Sequence, residues 1–312
     1  MAVFYGFVMN PAHSARETRK GIWYAVGCYA VWGLFPIYWY PVSRAGMAAE
    51  QVLAQRIVWS ALFAVAVLLF TSRQGEFAGV FRRPHILAAL FLSGFCIGAN
   101  WLVYLWAIAN HHVLDASLGY FMSPLFSVFL GRAVLKERLD KQQAAAVALA
   151  FAGMVWLALP AGQVPWVALL LTLTFGCYGF IRKLAPVGAL VGLTWETLIL
   201  LPFALGYLAH HYAAGSLQFA GLGALPLAVL LGSGVATTVP LLMFAAGARR
   251  IPLSMLGMLQ YFSPVLQLAA GLLLFGETFD TGRLIGYGWV WLGVALYLAA
   301  AWRQHRAAGH RV

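Results

Sequence analysis

The sequence predicts an all-α, polytopic membrane protein of ten transmembrane helices, built as a five-plus-five inverted repeat with both termini cytoplasmic. Three observations predict it. Of the 312 residues, 62% are hydrophobic and only 9% charged, against roughly 45–50% and 25% in a soluble domain, and a water-soluble fold cannot hide that much apolar surface. Apolar runs recur along the chain, each near the ~20 residues a helix needs to cross ~30 Å of hydrocarbon. Finally, the stretch SLGYFMSPLFSVFLGRAVLKERLD at 117–140 is echoed by GMLQYFSPVLQLAAGLLLFGETFD at 257–280.

Charged and Pro/Gly-bearing breaks divide the chain into spans at 20–41, 50–72, 85–109, 113–135, 141–159, 164–184, 188–209, 220–247, 253–275 and 281–302. The eighth is long enough to tilt or to begin with interfacial residues. This gives an N-terminal extension (1–19), a first five-helix unit (20–160), a second (161–303) and a short tail (304–312). The opening MAVFYGFVM has no basic segment before it, which disfavours a cleaved signal peptide.

Orientation follows from the basic residues, which favour the cytoplasmic side. On alternate loops, one side collects Arg16, Arg19, Lys20, Arg73, Arg82, Arg83, Arg132, Lys136, Arg138, Lys141, Arg182, Lys183, Arg249, Arg250, Arg303, Arg306 and Arg311, and the other only Arg44 and Arg283. The formal charge of +11 is therefore a topology signal. A nucleic-acid partner would need those charges clustered on one soluble face, so none is expected. Cys28, Cys96 and Cys177 all fall inside spans, and no disulfide is expected.

The echo holds register: Ser123-Pro124, Gly131, Glu137 and Asp140 recur 140 residues later as Ser263-Pro264, Gly271, Glu277 and Asp280, and Ser93-Gly94 recurs as Ser233-Gly234. The copies lie five spans apart, an odd number, so they run in opposite directions through the bilayer. Inverted repeats of this kind characterise secondary transporters, whose site lies between the halves near the midplane. Each proline removes a helix N–H, freeing the carbonyls of Tyr120 and Gln260, and a free carbonyl in hydrocarbon needs protein or a wet cavity to satisfy it. Tyr120, Ser123, Pro124, Gln260, Tyr261, Ser263 and Pro264 are therefore candidates for a central polar pocket, with packing alone as the other reading of the two kinks. Asp140 with Gln143 reads as a capping box, and Asp280 as a second cap. For Glu137 and Glu277, interfacial anchoring and gate contacts are equally open.

At these residues the chain resembles the EamA-type permeases of the drug/metabolite transporter superfamily, in the RarD branch. The likeness is carried by EQVLAQRIVWS from Glu50, NWLVYLWAI from Asn100, LDASLGYFMSPL from Leu114 and KERLD from Lys136, and extends from about Arg19 to Trp302. Gln55 stands where the branch usually carries His, and Ser123 where it usually carries Asn. The resemblance implies a bacterial inner-membrane permease for a small solute, with no cofactor.

Within the spans, Trp32, Trp59, Asn100 and Tyr104 are deep enough to line the pathway, where aromatic faces suit a flat, partly apolar or cationic solute. Trp39, Trp101 and Trp106 read as part of an interfacial belt. Arg56 and Glu196 are ionisable groups inside spans, each costing at least ~2.5–3.5 kcal/mol on insertion scales and so a functional candidate. Arg56 would attract an anionic group of the solute or neutralise a carboxylate, and Glu196 is a candidate carrier of a coupling proton. His111, His112 and Asp115, with His210 and His211, offer donors for a metal on the outer face or for a membrane-embedded enzyme acting on lipid there; a lipid-carrier flippase shares the expected fold. No Walker loop, dinucleotide fingerprint or zinc-finger spacing appears, which excludes ATP hydrolysis by this chain.

The charge distribution gives a direct test. A cysteine introduced by Arg138→Cys should resist an impermeant thiol reagent applied to intact cells and react once the membrane is opened; labelling from outside would reverse the orientation.

Overall fold

The computed structural model describes residues 11–109, 113–159, 166–274 and 281–309. Every regular element among them is helical: α1 (Pro11–Gly33), α2 (Phe35–Arg44), α3 (Ala49–Leu69), α4 (Gln74–Val80), α5 (Pro84–Ala109), α6 (Val113–Ala133), α7 (Lys141–Ala158), α8 (Trp166–Leu184), α9 (Ala189–Ala213), α10 (Ala224–Ala248), α11 (Leu253–Gln260), α12 (Phe262–Leu274) and α13 (Thr281–Gly309), with a single 3₁₀ turn at Phe219–Gly221. Seven helical stretches among the described residues are long and apolar enough to cross a bilayer, counting the near-continuous Arg16–Arg44 as one. The other three expected spans are also helical, as α6, α7 and the pair α11 and α12, and α7 spends its first turn on Lys141-Gln142-Gln143.

Two spans expected as single helices are broken. The first stops at Gly33, because Pro36 lacks the N–H that would bond to Trp32, and restarts as α2 with proline in its opening turn, where a missing donor costs nothing. The ninth breaks at Tyr261, so that Pro264 falls in the first turn of α12. The ends also differ from the expected units. Helix α1 starts at Pro11, within the segment expected as an extension, and α13 continues to Gly309. At the start of α1, Glu17 bonds Lys20 at 2.6 Å and Arg250 at 2.9 Å, tying the extra turns to the end of α10.

The helices pack in a definite pattern. Helix α1 lies on α10 and α12, α5 on α8 and α9, α3 on α9 and α10, α6 on α8 and α11, and α7 on α13. Small residues set the closest approaches. A Cβ at Gly257 in α11 would fall 2.5 Å from the Pro124 carbonyl oxygen in α6, so only glycine lets these two helices cross there. Above the crossing, the Tyr261 hydroxyl donates to the Phe121 carbonyl at 2.8 Å.

Outside, the bundle exposes Leu62, Phe91, Phe95, Phe129, Phe151, Phe203 and Leu292. So many large apolar side chains facing outward across six helices suit acyl chains and would be a liability in water. Inside, in the half of the bundle where α8 and α10 finish, an aromatic wedge joins α1, α8 and α10. Trp32 packs on Phe175 and Phe244 with ring centroids 5.8 Å away, and Tyr178 stacks on Phe244 at 5.5 Å.

That same end gathers basic residues and interhelical caps. Lys183 donates to the carbonyl of Ile251 at 2.6 Å, and Glu76 accepts the N–H of Gly188 at 2.6 Å. Asp140 and Gln143 form the expected capping box on α7. Glu137 leaves its own helix and caps α11: its carboxylate accepts the N–H groups of Leu253 (2.6 Å) and Ser254 (2.9 Å) and the Ser254 hydroxyl (2.7 Å). An anion at a helix N-terminus satisfies orphan donors and complements the dipole. Glu137→Ala should therefore destabilise the detergent-solubilised protein by about 1–3 kcal/mol, the cost of stranding those donors, read as a lower melting temperature than that of the conservative Glu137→Gln.

Candidate functional site

Three arrangements between the halves bring the sequence candidates into contact: the proline crossing, a box of aromatic rings around Arg56, and a buried ion pair at Glu196.

At the crossing, local chemistry claims much of the polarity. Ser123 is buried, and its hydroxyl donates back to the Gly119 carbonyl at 2.8 Å. This is the i−4 bond by which a serine inside a helix satisfies its own hydroxyl. Ser263 and Gln260 are buried beside the break, and Tyr261 is 1% exposed with its hydroxyl committed to Phe121. Tyr120 alone of this set combines a polar tip with partial exposure, its ring 5.6 Å from that of Tyr104. Asn100 is buried and binds α8, donating to the Leu171 carbonyl at 2.9 Å and to Thr174 at 3.0 Å. Trp32 belongs to the aromatic wedge. Trp59 is partly exposed, one turn along α3 from Gln55, to which its indole N–H donates at 3.2 Å.

Arg56 projects from α3 into a ring of aromatics. Its guanidinium carbon is 5.0 Å from the Trp101 ring, 5.1 Å from Trp39 and 5.8 Å from Phe35, and its Nε donates to Thr237 of α10 at 3.2 Å. Tyr104 and Tyr120 stand near enough to act on its charge. The side chain keeps partial access to solvent. No carboxylate among the described residues lies within ion-pair distance, so the expectation that Arg56 neutralises an acid is not met. The rings take that role: a cation–π contact in a desolvated site is worth about 2 kcal/mol, and three together offset an insertion cost of at least ~2.5–3.5 kcal/mol. The occupied box also revises the expected solute. A second cation ~4 Å from Arg56 would be repelled by about 4 kcal/mol at an effective dielectric constant near 20.

Trp101, Trp39 and Phe35 were not among the pathway residues expected from sequence. The available signal was spacing: Trp101 and Tyr104 are three apart, and Phe35 and Trp39 four apart, so each pair shares a helix face.

Glu196 lies on α9 near the basic end, 1% exposed, where Ser93 of α5 donates to its Oε1 and Arg182 of α8 approaches that oxygen to 3.6 Å. Arg182 was expected on the cytoplasmic side, at the end of the sixth span; it is fully buried in the last turn of α8, with its Nη2 donating to the Ala189 carbonyl at 3.1 Å. A Cβ at Gly192 would sit inside that guanidinium, so glycine makes the room. Glu196 is therefore one member of an ion pair. Glu196 Oε2, Arg182 Nη1 and the Tyr178 hydroxyl have no hydrogen-bond partner and lie sealed from solvent.

Among the described residues no group of three His, Cys, Asp or Glu side chains could hold a metal. His111, His112 and the side chain of Asp115 lie outside the described residues, as do Glu277 and Asp280. All three cysteines are free thiols. An open groove of about 1070 Å³ between α6, α7 and α8, walled by Leu125, Phe129, Val147 and Phe151, is apolar, faces outward and is remote from Arg56.

A bundle of bilayer-length helices, apolar outside, with charge and aromatic side chains turned into its middle, defines a multi-pass membrane protein. Comparison with known proteins gives the family. Residues 19–159 match the EamA-like transporter family. The chain is 44% identical to an uncharacterized transporter of Pseudomonas aeruginosa over 92% of this chain and 96% of that one. It is 38% identical to the protein RarD of Streptomyces exfoliatus (95% and 93% covered) and 34% identical to RarD of Escherichia coli (94% and 99%). A solved crystal structure 15% identical to the chain shares its fold, with a TM-score of 0.68 over 90% of this chain and 98% of the other. The chain belongs to the EamA-like transporter family, in the RarD branch.

Removing one partner of a buried pair strands the other charge, at a cost of about 3–5 kcal/mol, whereas replacing both by apolar side chains is often neutral. Arg182→Met alone should therefore lower the melting temperature in detergent sharply, and Arg182→Met combined with Glu196→Leu should recover most of the loss. A double variant as unstable as the sum of the singles would show that the two groups do not act as a pair.

Proposed function

We propose that the chain is a secondary transporter of ten spans in the bacterial inner membrane, moving a small metabolite or drug-like solute out of the cell by alternating access of two inverted halves. The observation that carries this reading is the packing pattern. Taking α1–α2, α3, α5, α6 and α7 as one unit and α8, α9, α10, α11–α12 and α13 as the other, exchanging equivalent helices converts the pattern into itself. The contact of α1 with α10 becomes that of α8 with α5, α3 with α10 becomes α9 with α5, and α6 with α8 becomes α11–α12 with α1. The pairs α3 with α9, α6 with α11 and α7 with α13 map onto themselves. Two units related in this way can exchange conformations, each passing through the state the other has left, which is the basis of alternating access in inverted-repeat transporters.

The conformation fits one end of that cycle. The basic end, cytoplasmic by the positive-inside rule, is shut by the wedge of Trp32, Phe175, Tyr178 and Phe244 and by the Glu137 cap. Arg56 and its rings, nearer the other end, keep partial access. Coupling to a proton through Glu196 requires that acid to give up Arg182 during the cycle, so the pair would open as the halves rock. Bacterial relatives support the inner membrane, and the drug/metabolite transporter resemblance supports export.

Joining α6 to α11 at the basic end should arrest the cycle. With Glu137→Cys and Ser254→Cys, a short thiol-to-thiol cross-linker should abolish solute flux in proteoliposomes, and a cleavable version should restore it on reduction. Full flux in the cross-linked protein would exclude movement at this contact.

A further inference from the structure

We infer that the solute is an organic anion, a planar or aromatic body bearing a carboxylate-like group, and that Arg56 binds that group inside the aromatic box. This rests on the transporter reading and names the substrate class for its central site.

The argument begins with what the protein leaves undone at Arg56. A guanidinium carries five N–H donors in one plane. The rings of Trp101, Trp39 and Phe35, 5.0–5.8 Å from its centre, address its charge, and Thr237 takes the Nε donor. No protein acceptor takes the Nη donors, and no carboxylate stands nearby among the described residues. Two unengaged Nη groups at the edge of a fixed plane form the fork that receives a carboxylate in two parallel hydrogen bonds.

Position 196 supplies an internal comparison. Arg56 and Glu196 are 140 residues apart, the offset that relates Ser123-Pro124 to Ser263-Pro264, so they occupy equivalent places in the two halves. Glu196 is sealed and paired with Arg182 from its own half. Its counterpart has no ionic partner among the described residues and keeps partial exposure. The protein has neutralised one buried charge and left the other accessible, and an accessible unpaired cation deep in the bundle selects an anion.

The rest of the ligand follows from the walls. Trp59, Trp101, Tyr104 and Tyr120 are each partly exposed, and the Tyr104 and Tyr120 rings lie edge to face at 68°. Faces and edges of this kind favour a flat body that stacks. A cationic aromatic solute, otherwise suited to such a cage, is opposed by Arg56 itself.

The test uses the full-length purified protein and three probes of one shape: benzoate, benzamide and benzylamine. Equilibrium binding of labelled benzoate should be saturable at millimolar concentrations, competed by unlabelled benzoate and not by benzamide or benzylamine at equal concentration. This comparison is made in the unaltered protein and does not depend on a variant folding. Arg56→Gln should weaken benzoate binding at least about tenfold, the effect of losing a single interaction worth ~1.4 kcal/mol, and Arg56→Lys should fall between the two. Equal competition by benzamide or benzylamine, binding unchanged in Arg56→Gln, or no saturable benzoate binding would each overturn the inference. Flux separates it from the reading beneath it. Uptake of neutral or cationic solutes but not of aryl carboxylates by proteoliposomes would leave a transporter and remove the anion site. Arg56-dependent benzoate binding without flux under any imposed gradient would keep the site and remove the transporter.

Discussion

A helix in hydrocarbon must satisfy its own backbone, and proline prevents it from doing so; the middle of this protein is arranged around that constraint. Pro124 frees the carbonyl of Tyr120 inside α6, and a free carbonyl in hydrocarbon is costly unless protein groups or a wet cavity reach it. The structure packs α6 against α11 at this point. Gly257 lets α11 approach the Pro124 carbonyl, Tyr261 donates to Phe121, and the hydroxyl of Ser123 bonds back within α6. At the ninth span the helix stops and restarts, which moves Pro264 to a place where it lacks nothing. The first span breaks for the same reason ahead of Pro36, and that break allows α2 to swing Phe35 and Trp39 toward Arg56. The aromatic box thus descends from a backbone problem solved nearby.

Two charges then divide the labour. Glu196 is held by Ser93 and Arg182 near the basic end, where it ties α5, α8 and α9. Arg56 has its charge spread over rings from α2 and α5 and a single bond to α10, so four helices meet on one side chain without any of them supplying an anion. The first arrangement is a structural tie whose removal is costly on either side. The second leaves donors free, the usual condition of a binding group.

Much of this was legible in the sequence, and the parts that were not share a cause. Span positions, the Asp140–Gln143 cap and the proline-bearing ninth span are local: each depends on residues within a turn or two. The box and the ion pair are not. Trp39 and Trp101 carry the composition of an interfacial belt, and only the packing of α2 and α5 against α3 turns them onto Arg56. Arg182 belongs by sequence to a basic loop motif with Lys183, and it is the fold that carries one of the two inward to Glu196 while its neighbour reaches the carbonyls at Ala248 and Ile251. Ser123 sits beside a mid-membrane proline, and its hydroxyl bonds the carbonyl four residues back in its own helix.

In the proposed alternating-access cycle, the Glu137 contact at the basic end has a strength suited to reversible opening. Glu137 makes three short bonds to α11, but it sits at a helix end within reach of water, so opening exchanges those bonds for hydration rather than losing them outright. The net value of each is then nearer ~1 kcal/mol than its gross strength, a few kcal/mol in all. Moving a two-state equilibrium from 1:99 to 99:1 takes about 5.5 kcal/mol of differential binding. A solute that gains a charged, bidentate contact at Arg56 in one state and loses it in the other can supply a free energy of that order. A closure made of many buried ion pairs would be harder to tip than one cap within reach of water, and one made only of ring contacts would leak. A carboxylate on wet backbone N–H groups lies between those limits.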